Sequence, residues 1–443
     1  MKKTFLLSCL MLAAMPVMAA YTGHVYVDKN KNGVFDQSEK PLAGIKVSDG
    51  LNVVETAADG SFTLPGHEPS GYKTFNRHYH KIEKKQSGYD FGLIPYSGRI
   101  RKDGSHRYIH ITDTEIFNTE NHADWVNNVH DYARNEQAAF IIHTGDLCYE
   151  KGLKAHIKLM NTENMDCPVF YCIGNHDLVK GKYGEELFES IYGPVYYSFD
   201  AGNVHYVVTP MPGGDHAPGY TSDDVCRWLK NDLAHIRPGT PVVVFNHDLL
   251  TYEDTFIFKS KNAGSINLNE YNLKAWVYGH WHINYMKKQG DVYSVCTSSL
   301  DKGGIDHSTT AFRVMHVDSK GDFTSELRYT YLDKNICIAS PAGVMASGVL
   351  PVAVNVYSSV SPVREVLYTC LADGKPVLKN KRLLQSTDWS WNGELPLSHK
   401  YVGKELTLRV TARFNNGEIA EAESNFICRT EKAVPLFSAD WDN

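Results

Sequence analysis

Residues 139–146 read Ala-Phe-Ile-Ile-His-Thr-Gly-Asp, an apolar run that stops at a glycine and a carboxylate. A continuous apolar run of this length is typical of a strand buried within a sheet. Asp146, the polar residue that follows the run, would then stand at the carboxyl end of that strand. The stretch therefore predicts a buried strand that delivers a carboxylate to the edge of a sheet.

Four other apolar runs end in the same way, each at residues of a metal-binding type. They are 108–112 before Asp113, 169–173 before Gly174-Asn175-His176-Asp177, 242–245 before Asn246-His247, and 275–278 before Gly279-His280-Trp281-His282. In α/β sheets, ligands bind just beyond the carboxyl ends of the strands, so polar groups at several strand ends converge on one cleft. The recurrence predicts such a cleft here.

The pattern along the chain predicts three folded regions. Residues 105–334 alternate strand-like runs with helical stretches, which indicates an α/β core with mixed sheets flanked by helices. Residues 21–75 and 335–443 have short strand-like runs and turn signals without a helical period, and predict small all-β domains. The polar stretch 76–104 is a predicted linker, and its histidines either line the cleft or are solvated.

The first twenty residues have the order of a Sec-type signal peptide, with two lysines, an apolar stretch and then Ala19 and Ala20. The apolar stretch is shorter than the roughly 20 residues of a transmembrane helix and contains Pro16, so cleavage is favoured over an anchor. Lipidation at Cys9 is a further alternative, but the apolar stretch continues past that cysteine. The leader predicts a periplasmic, extracellular or cell-surface protein, and no later segment has the length and hydropathy to span a membrane.

Charge excludes one class of partner. The chain has 443 residues with 45 Lys and Arg against 51 Asp and Glu, a formal net charge of −6. Nucleic-acid binding requires basic patches, and neither this balance nor any run of like charge provides one. No nucleic acid partner is therefore expected.

Eight cysteines follow the leader, and an exported protein can pair them or bury them as free thiols. Cys167 and Cys172 are the nearest pair in sequence. They flank a stretch that is predicted to be extended, which puts their α carbons beyond disulfide reach. The sequence leaves the two alternatives open.

Taken in order, the five strand ends read Asp113-Thr114-Glu115, Gly145-Asp146, Gly174-Asn175-His176-Asp177, His247 and Gly279-His280-Trp281-His282. Over roughly residues 105 to 315 this order resembles the calcineurin-like metallophosphoesterase superfamily, in particular its multidomain secreted bacterial members with β domains at both ends. The resemblance implies a sandwich-type core and hydrolysis of a phosphomonoester, phosphodiester or pyrophosphate bond. Two divalent ions about 3.5 to 4 Å apart would bind the phosphoryl oxygens and lower the pKa of a bridging water, so that hydroxide exists near neutral pH.

The resemblance also implies seven metal ligands in two groups that share one carboxylate. The first ion would be held by Asp113, Glu115 and His282, the second by Asn175, His247 and His280, and both by Asp146. The simpler alternative for each is structural, since Asn175 is also a common turn residue and an isolated His247 can be an ordinary core histidine.

Two catalytic residues follow from the same resemblance. His176 is not a metal ligand in the family and would assist the leaving oxygen, with Asp177 orienting its ring. The alternative for Asp177 is a turn residue.

The sequence departs from the family pattern at Glu115, where the pattern has histidine. With the carboxylates ionised, the ligand set carries three negative charges instead of two, which favours harder ions such as Mn²⁺, Fe or Mg²⁺ over Zn²⁺, with Mn or Fe preferred. The alternative is a weak first site. The chain would then be a one-metal enzyme, or a catalytically weakened surface- or carbohydrate-binding protein on a degenerate phosphoesterase core.

The substrate is expected to be a small-molecule, glycan-linked or lipid-linked phosphoester. Selectivity would come from the loops 211–221, 252–265 and 301–308, and aromatic residues such as Tyr252 and Phe256 would either stack on a sugar or base or pack within the fold. The Gly303-Gly304 pair, flanked by hydroxyls and charges, marks a substrate-side loop or an ordinary turn.

Residues 28–39 fit the twelve-residue EF-hand loop, with glycine at position 6 and glutamate at position 12. The candidate calcium ligands are Asp28, Asn30, Asn32, Val34 through its carbonyl, Asp36 and Glu39. Flanking helices are missing, and the segment resembles the calcium-stabilised β modules of bacterial surface proteins. A structural calcium site and a metal-free Asn/Gly-rich hairpin both remain open.

Overall fold

A computed structural model describes residues 20–65, 89–95, 99–332, 334–346 and 348–429. Of the predicted signal peptide, only residue 20 is described. Residues 76–88 of the predicted linker and residues 430–443 of the predicted C-terminal domain also lie outside the described residues.

The kinds of element change along the chain. The first part has five short strands: β1 (Tyr21–Val27), β2 (Lys46–Ser48), β3 (Val53–Glu55), β4 (Ser61–Leu64) and β5 (Phe91–Leu93). The middle part combines strands with short helices: β6 (His106–Ile111), α1 (Ala123–Asn135), β7 (Phe140–His143), α2 (Tyr149–Leu159), β8 (Val169–Tyr171), a 3-10 turn (Asn175–Asp177), α3 (Glu186–Tyr192), β9 (Tyr197–Ala201), β10 (Val204–Val208), α4 (Ser222–Leu233), β11 (Val242–Phe245), β12 (Ile257–Lys259), β13 (Ser265–Asn267), a 3-10 turn (Leu268–Tyr271), β14 (Leu273–Tyr278), β15 (Tyr285–Gln289), β16 (Val292–Cys296), β17 (Ala311–Val317) and β18 (Phe323–Tyr329).

The last part is almost entirely strand. Its elements are β19 (Asn335–Ser340), β20 (Gly343–Ala346), β21 (Gly348–Tyr357), β22 (Val363–Ala372), β23 (Lys375–Arg382), β24 (Leu384–Gln385), β25 (Ser390–Leu397), a 3-10 turn (His399–Tyr401), β26 (Glu405–Phe414) and β27 (Ile419–Arg429). Among all the helices of the described residues, none combines the length and the apolar character that crossing a bilayer requires.

The chain divides into two compact units. One contains the described residues of Met1–Tyr96 together with Gly219–Arg237 and Phe258–Ile266. The other contains Ser97–Pro218, Pro238–Ile257 and the described residues of Asn267–Asn443. Helix α4 therefore belongs to the same unit as the N-terminal strands.

The N-terminal strands form a small β module. β1 pairs antiparallel with β4 and parallel with β5, and β2 pairs with β3. Its core is formed by the buried side chains of Val25, Val47, Phe62 and Leu64. β5 lies within the stretch 76–104 that is predicted as a linker, so the sheet of this module extends past residue 75.

Two mixed sheets form the centre of the second unit. One has the strand order β15-β16-β14-β11-β10-β9, with parallel strands in the middle and an antiparallel strand at each edge. The other has the order β18-β17-β6-β7-β8, in which β6, β7 and β8 are parallel and β17 and β18 pair antiparallel on one side. This is the predicted α/β core with mixed sheets, and the prediction is confirmed.

Alternating side chains of the central strands build two apolar layers. Tyr108 and Phe140 join the cluster that also contains Phe245 of the other sheet, with their rings stacked at a centroid distance of 4.8 Å. Ile109 and Ile141, which point the other way, join the cluster that contains Trp125 of α1. Strands buried on both faces read as continuous apolar runs, which explains the pattern of the sequence.

The C-terminal strands form two sheets of four and five strands, ordered β19-β21-β25-β24 and β20-β27-β26-β22-β23. Buried side chains recur at every second position of β21 and β26, as expected for strands with one buried face. A single apolar cluster that contains Val354, Tyr368 and Leu408 joins the two sheets. The predicted all-β region at the C-terminal end is therefore a β sandwich, and it belongs to the same compact unit as the α/β core.

The eight cysteines of the described residues are free, and seven of them are buried while Cys337 is exposed. Of the two alternatives left open by the sequence, the structure has the free thiols.

Candidate metal centre

The seven predicted metal ligands follow strands whose carboxyl ends meet at one edge of the second unit. The Asp113 backbone N–H, after β6, donates to the Gly145 carbonyl beyond β7 at 3.0 Å. The Gly279 N–H, after β14, donates to the His247 carbonyl beyond β11 at 3.0 Å. The His280 N–H donates to Asp113 Oδ2 at 3.0 Å and so links the two sheets.

Five of these seven residues have a left-handed backbone. Their φ angles are 51° at Asp113, 44° at Glu115, 58° at Asp146, 64° at His280 and 48° at His282. Such a conformation costs a residue with a β carbon about 1–3 kcal/mol and persists only where its surroundings impose it, most often at active sites. The backbone at this edge is therefore shaped to turn several side chains inward.

Asp113 and His282 are close to each other and to Glu115. His282 Nε2 lies 3.2 Å from Asp113 Oδ1 and 3.5 Å from Glu115 Oε1. Asp113 is fully buried, and the Thr112 hydroxyl donates to its Oδ2 at 2.7 Å. The three side chains predicted for the first ion are thus within reach of one cation.

The side chains predicted for the second ion also converge. The ligand atoms of Asp146, His247 and His280 all lie within 4.8 Å of one another. His247 Nε2 is 3.1 Å from Asp146 Oδ2 and 3.9 Å from Asp113 Oδ1, which brings the two predicted groups together around Asp146 and Asp113.

Two of the predicted ligand atoms are buried without a hydrogen-bond partner. They are Asn175 Oδ1 and His247 Nε2. Leaving a buried polar atom unpaired costs about 1–3 kcal/mol, so native proteins rarely tolerate it without a reason. A divalent cation between these atoms and Asp146 would satisfy both, and the mixture of carboxylate, amide and imidazole donors fits such an ion.

The ring of His247 is oriented for this role by a backbone group. Its Nδ1 lies 2.6 Å from the Thr144 carbonyl oxygen, which can only accept, so Nδ1 carries the proton and Nε2 is left as the ligand atom. Burial opposes a charge on this ring, but the neighbouring Asp146 carboxylate outweighs burial and raises the pKa of His247 to about 10. A cation at Nε2 would compete with that proton.

Gly279 has no space for a side chain. A β carbon there would lie 1.8 Å from Thr112 Oγ1 and 2.5 Å from Asp113 Oδ2. The glycine of the Gly-His-Trp-His stretch therefore allows the loop after β14 to approach the loop after β6, and the approach places His280 and His282 beside Asp113.

Glu115 has a partner that the sequence interpretation did not assign. Lys302 pairs with Glu115 Oε2. The lysine lies on the glycine-containing loop that was predicted as either a substrate-side loop or an ordinary turn. Its position beside Gly303 is the sequence feature that could have indicated a role at the site. Because its positive charge offsets the third carboxylate, the charge-based argument for hard ions at the first site loses its main premise.

The ring of His176 is oriented by Asp215 and not by Asp177. Asp215 Oδ2 accepts from His176 Nδ1 at 2.7 Å. Asp177 Oδ1 and Oδ2 instead accept the backbone N–H groups of Cys148 and of Asp146 and Gly174, each at 2.9 Å. The predicted orienting role of Asp177 is therefore wrong, because its carboxylate is fully committed to the backbone of two strand-end loops.

Asp177 stabilises the backbone of the loops that carry the site. It is completely buried, and burial together with the charge of Asp146 raises the pKa of its carboxyl. Asp215, which sequence reasoning missed, comes from the loop 211–221 predicted to set selectivity, and its backbone N–H donates to the Asn175 carbonyl at 3.0 Å. Nothing in the sequence pattern singles out this aspartate, since it follows two glycines in a loop.

The aromatic residues around the edge divide into packing and exposed groups. Phe256 is fully buried and packs against Trp276, so its role is structural. Tyr252 is 75% exposed and stacks on Trp281, which stands between His280 and His282 in the sequence. Tyr149 lies 5.4 Å from the ring of His176. Exposed aromatic surface therefore flanks the edge.

The predicted calcium loop folds around two buried carboxylates. Asp28 accepts the N–H groups of Asn32 and Gly33 at 3.1 and 2.9 Å. Glu39 accepts those of Lys29 and Asp36 at 2.9 and 3.1 Å. The amides of Asn30 and Asn32 both donate to Asp36 Oδ2, at 2.8 and 3.1 Å. Val34 follows in the same loop. The candidate calcium ligands are thus drawn together, and calcium binding stays a prediction.

Comparison with known proteins is consistent with this geometry. Residues 106–284 match the family described as calcineurin-like phosphoesterase. A curated relative, purple acid phosphatase 13 of Arabidopsis thaliana, is 26% identical over 215 residues, covering 45% of this chain and 36% of that protein. The chain thus spans about a third of the length of that relative.

Similar proteins are also found among solved structures. An archaeal phosphodiesterase is 12% identical and covers 50% of this chain and 99% of its own, with a TM-score of 0.27. Vacuolar protein sorting 29 of Cryptosporidium parvum is 10% identical and covers 66% of this chain and 99% of its own, with a TM-score of 0.28. At these values neither likeness carries an argument about activity.

Proposed function

Because residues 106–284 form a calcineurin-like phosphoesterase domain, we propose that this chain is a metal-dependent hydrolase of phosphomonoester, phosphodiester or pyrophosphate bonds. One observation carries the proposal: the ligand atoms of Asp146, His247 and His280 lie within 4.8 Å of one another, and Asn175 Oδ1 is buried without a hydrogen-bond partner. Such an arrangement is costly unless a cation completes it.

The residues that would hold the ions fall into the two groups named above. Asp113, Glu115 and His282 would hold the first ion, Asn175, His247 and His280 the second, and Asp146 would be shared. Two divalent ions in such a site polarise the phosphoryl group and make water acidic enough to supply a nucleophile near neutral pH. The identity of the ions remains a proposal: Mn or Fe is the expectation from the sequence, and the Glu115–Lys302 pair removes the charge that favoured them over Zn.

His176 would donate a proton to the leaving oxygen. Its Nδ1–H is held by Asp215, which leaves Nε2 as the atom available to a substrate, and the side chain is 34% exposed. Burial opposes a charge on this ring, but the hydrogen bond to Asp215 outweighs it and raises the pKa of His176. A raised pKa favours the protonated form of the ring, which is the form that a general acid requires.

Lys302 would have two tasks. Its ammonium group holds Glu115 on the side away from His282 and supplies positive charge where a phosphoryl group has to approach. Charge-assisted contacts of this kind favour phosphate over neutral ligands. The Glu115–Lys302 pair thus replaces the histidine of the family pattern with two opposite charges that sum to zero.

A specific observation also favours a second candidate function. Since Glu115 is already engaged by Lys302, the first ion would have to share this carboxylate with an ammonium group. A weakened first site would make the chain a binding protein on a phosphoesterase core. Metal content measured together with turnover separates the two candidates, because only the hydrolase combines bound metal with activity.

The test is hydrolysis of 4-nitrophenyl phosphate and bis(4-nitrophenyl) phosphate by the purified chain with added Mn²⁺. We expect turnover that a chelator abolishes, and a loss of about a hundredfold or more in Asp146→Asn, since even residues around metal ligands change affinity or activity by 10- to 100-fold. Absence of turnover with Mn²⁺, Fe²⁺, Zn²⁺ and Mg²⁺ in a metal-loaded protein would leave the binding function as the better candidate.

We also propose that the protein acts outside the cytoplasm. The support is the leader pattern of the first twenty residues, with its apolar stretch and small residues before residue 21. Determining the N-terminus of the protein isolated from the periplasm or the medium tests this. A mature chain that starts next to Ala19 or Ala20 is expected, and a cytoplasmic chain that retains Met1 contradicts the proposal.

A further inference from the structure

A cavity of about 600 Å³ lies beside the loop that carries Lys302. It is bordered by the end of β18, by β19 and β21 of the C-terminal sandwich, and by the chain before β25. Its volume is within the range of pockets that hold small organic molecules, about 300 to 1,000 Å³. No part of the proposed hydrolytic mechanism uses it.

Two segments connect this cavity to the candidate metal centre. Asn284, which lines the cavity, is two residues beyond His282, and two residues span at most about 7 Å of chain. Asp306 lines the cavity at the far end of the Lys302 loop, and the neighbouring Ile305 N–H donates to the His282 carbonyl at 2.9 Å. The cavity and the candidate metal centre are thus bordered by adjacent stretches of the chain.

The wall formed by the end of β18 and the C-terminal sandwich is aromatic. Tyr329 lies with its ring 5.7 Å from that of Tyr357 at 46°, and 6.0 Å from that of Trp389 at 61°. Tyr357 is buried, while Trp389 remains 41% exposed. Rings inclined to one another in this way form a bowl and not the parallel slot in which a flat base would stack on two faces.

The remaining wall combines polar residues with Leu327 and Leu332, and among the described residues that line the cavity there is no lysine or arginine. Amides come from Asn284, Asn335 and Asn355, and a carboxylate comes from Asp306. Asn284 is fixed, because its Nδ2 donates to Ser298 Oγ and its Oδ1 accepts from the Ser298 N–H, both at 3.1 Å. Amides and carboxylates offer both donors and acceptors to hydroxyl groups, while the wall lacks the cations that an anion would need.

From this combination we propose that the cavity binds a sugar ring, and that the substrate is a sugar phosphate or a glycan-linked phosphoester. The inclined aromatic rings contact the C–H face of the sugar ring, and the amides and Asp306 form hydrogen bonds with its hydroxyl groups. The inference rests on the proposed function and names the substrate class of that site.

The reaction then has a defined balance. The oxygen of a water molecule forms a bond to phosphorus, the bond between phosphorus and the sugar oxygen breaks, and the sugar leaves as an alcohol with a proton from His176. One proton of the water stays on the phosphate product, and the other passes to solvent, from which His176 is protonated again. The phosphate remains at the metal centre. The cavity positions the leaving sugar and takes no part in bond making.

The test compares the full-length chain with Trp389→Ala and Asn355→Ala, and with Leu384→Ala as a matched control. Leu384 is 73% exposed in the same sandwich and does not line the cavity. For each protein, kcat/KM is measured for glucose, galactose and mannose 1-phosphate, for uridine monophosphate and for 4-nitrophenyl phosphate. The readout is the ratio of the best sugar phosphate to 4-nitrophenyl phosphate.

We expect this ratio to fall by about tenfold or more in Trp389→Ala and Asn355→Ala, as for other substrates that lose contacts in a shaped pocket, and to stay within about twofold in Leu384→Ala. An equal ratio in all four proteins overturns the proposal and leaves the proposed hydrolase intact. A preference for uridine monophosphate that disappears in the same two variants overturns it in favour of a nucleoside.

Measuring binding directly tests the sugar site even if no substrate is turned over. Absence of turnover would count against the proposed function and not against the sugar site. Saturation-transfer NMR with methyl glucoside, galactoside and mannoside detects weak binding without catalysis. Signals in the unaltered chain that vanish in Trp389→Ala support the sugar site. Their absence from the unaltered chain at millimolar glycoside overturns it.

Discussion

The carboxyl edge of the α/β core and the C-terminal β sandwich differ in how far they obey local conformational rules. In the sandwich, buried and exposed side chains alternate along β21 and β26, and the left-handed residues Asp373 and Asn380 are of types that tolerate that conformation. At the carboxyl edge, Glu115 and Tyr149 adopt left-handed backbones that their side chains disfavour. Left-handed backbones that the side chains disfavour thus occur at the candidate metal centre, while the regular C-terminal sandwich contributes stability.

The largest expected effect is at the proton donor. His176→Ala should lower kcat by about 10²- to 10⁴-fold, the usual contribution of a general acid, with little change in metal content. Asp215→Asn should cost about tenfold, since it removes the group that orients the ring and not the ring itself. Steady-state kinetics and metal analysis check both. Full activity in His176→Ala would assign the proton to another group.

The second effect separates stability from activity. Leu408 is fully buried in the sandwich, so Leu408→Ala should lower the free energy of unfolding by about 2–5 kcal/mol while kcat stays unchanged. Asn175→Ala is its counterpart at the edge. Because Asn175 Oδ1 has no hydrogen bond to lose and its burial is unfavourable, stability without metal should stay unchanged or rise by up to about 1–3 kcal/mol while activity falls. Urea unfolding and activity assays measure both effects. A loss of activity in Leu408→Ala without destabilisation, or destabilisation of Asn175→Ala without loss of activity, would contradict the comparison.

A third effect concerns the ion pair at the first site. Glu115→His, in a Lys302→Met background that removes the unpaired ammonium, should raise the preference for Zn²⁺ over Mn²⁺ by about tenfold, because imidazole is the softer ligand. Lys302→Met alone serves as the control. Competition between the two ions, read by metal analysis, gives the ratio, and an unchanged preference would remove Glu115 from the ligand set.

The smallest effect is expected in the N-terminal module. Millimolar Ca²⁺ should raise the melting temperature of the full chain by about 2–4 °C, the shift that modest ligand binding gives in a protein of this size. Glu39→Gln keeps the shape of the side chain and removes its charge, and it should abolish the shift. An equal shift in both proteins would point to calcium bound elsewhere.

Much of the fold follows from the sequence because burial leaves a periodic record. The apolar runs before Asp113, Asp146 and His247 predict the strands, and the alternation of β26 predicts a half-buried sheet. Strand β5 is not predictable in this way, since three residues within a polar stretch carry no period and are fixed by pairing with β1.

The candidate site is predictable only in its residue types. The spacing of His280 and His282 around Trp281 predicts that both could turn inward, but not that Lys302 would engage Glu115. The partner of His176 is a clearer limit. Asp177 is adjacent in sequence, yet its carboxylate is used by three backbone N–H groups, and Asp215 arrives from a loop whose position depends on the tertiary fold.

The most direct test of the two-ion centre is anomalous X-ray diffraction from crystals grown with Mn²⁺. Two peaks are expected, both within about 2.0–2.6 Å of Asp146 oxygens, one also bound by His282 and the other by His247 and Asn175. A single peak, or ions bound away from Asp146 while His247 Nε2 stays unliganded, would contradict a shared pair of cations at this edge.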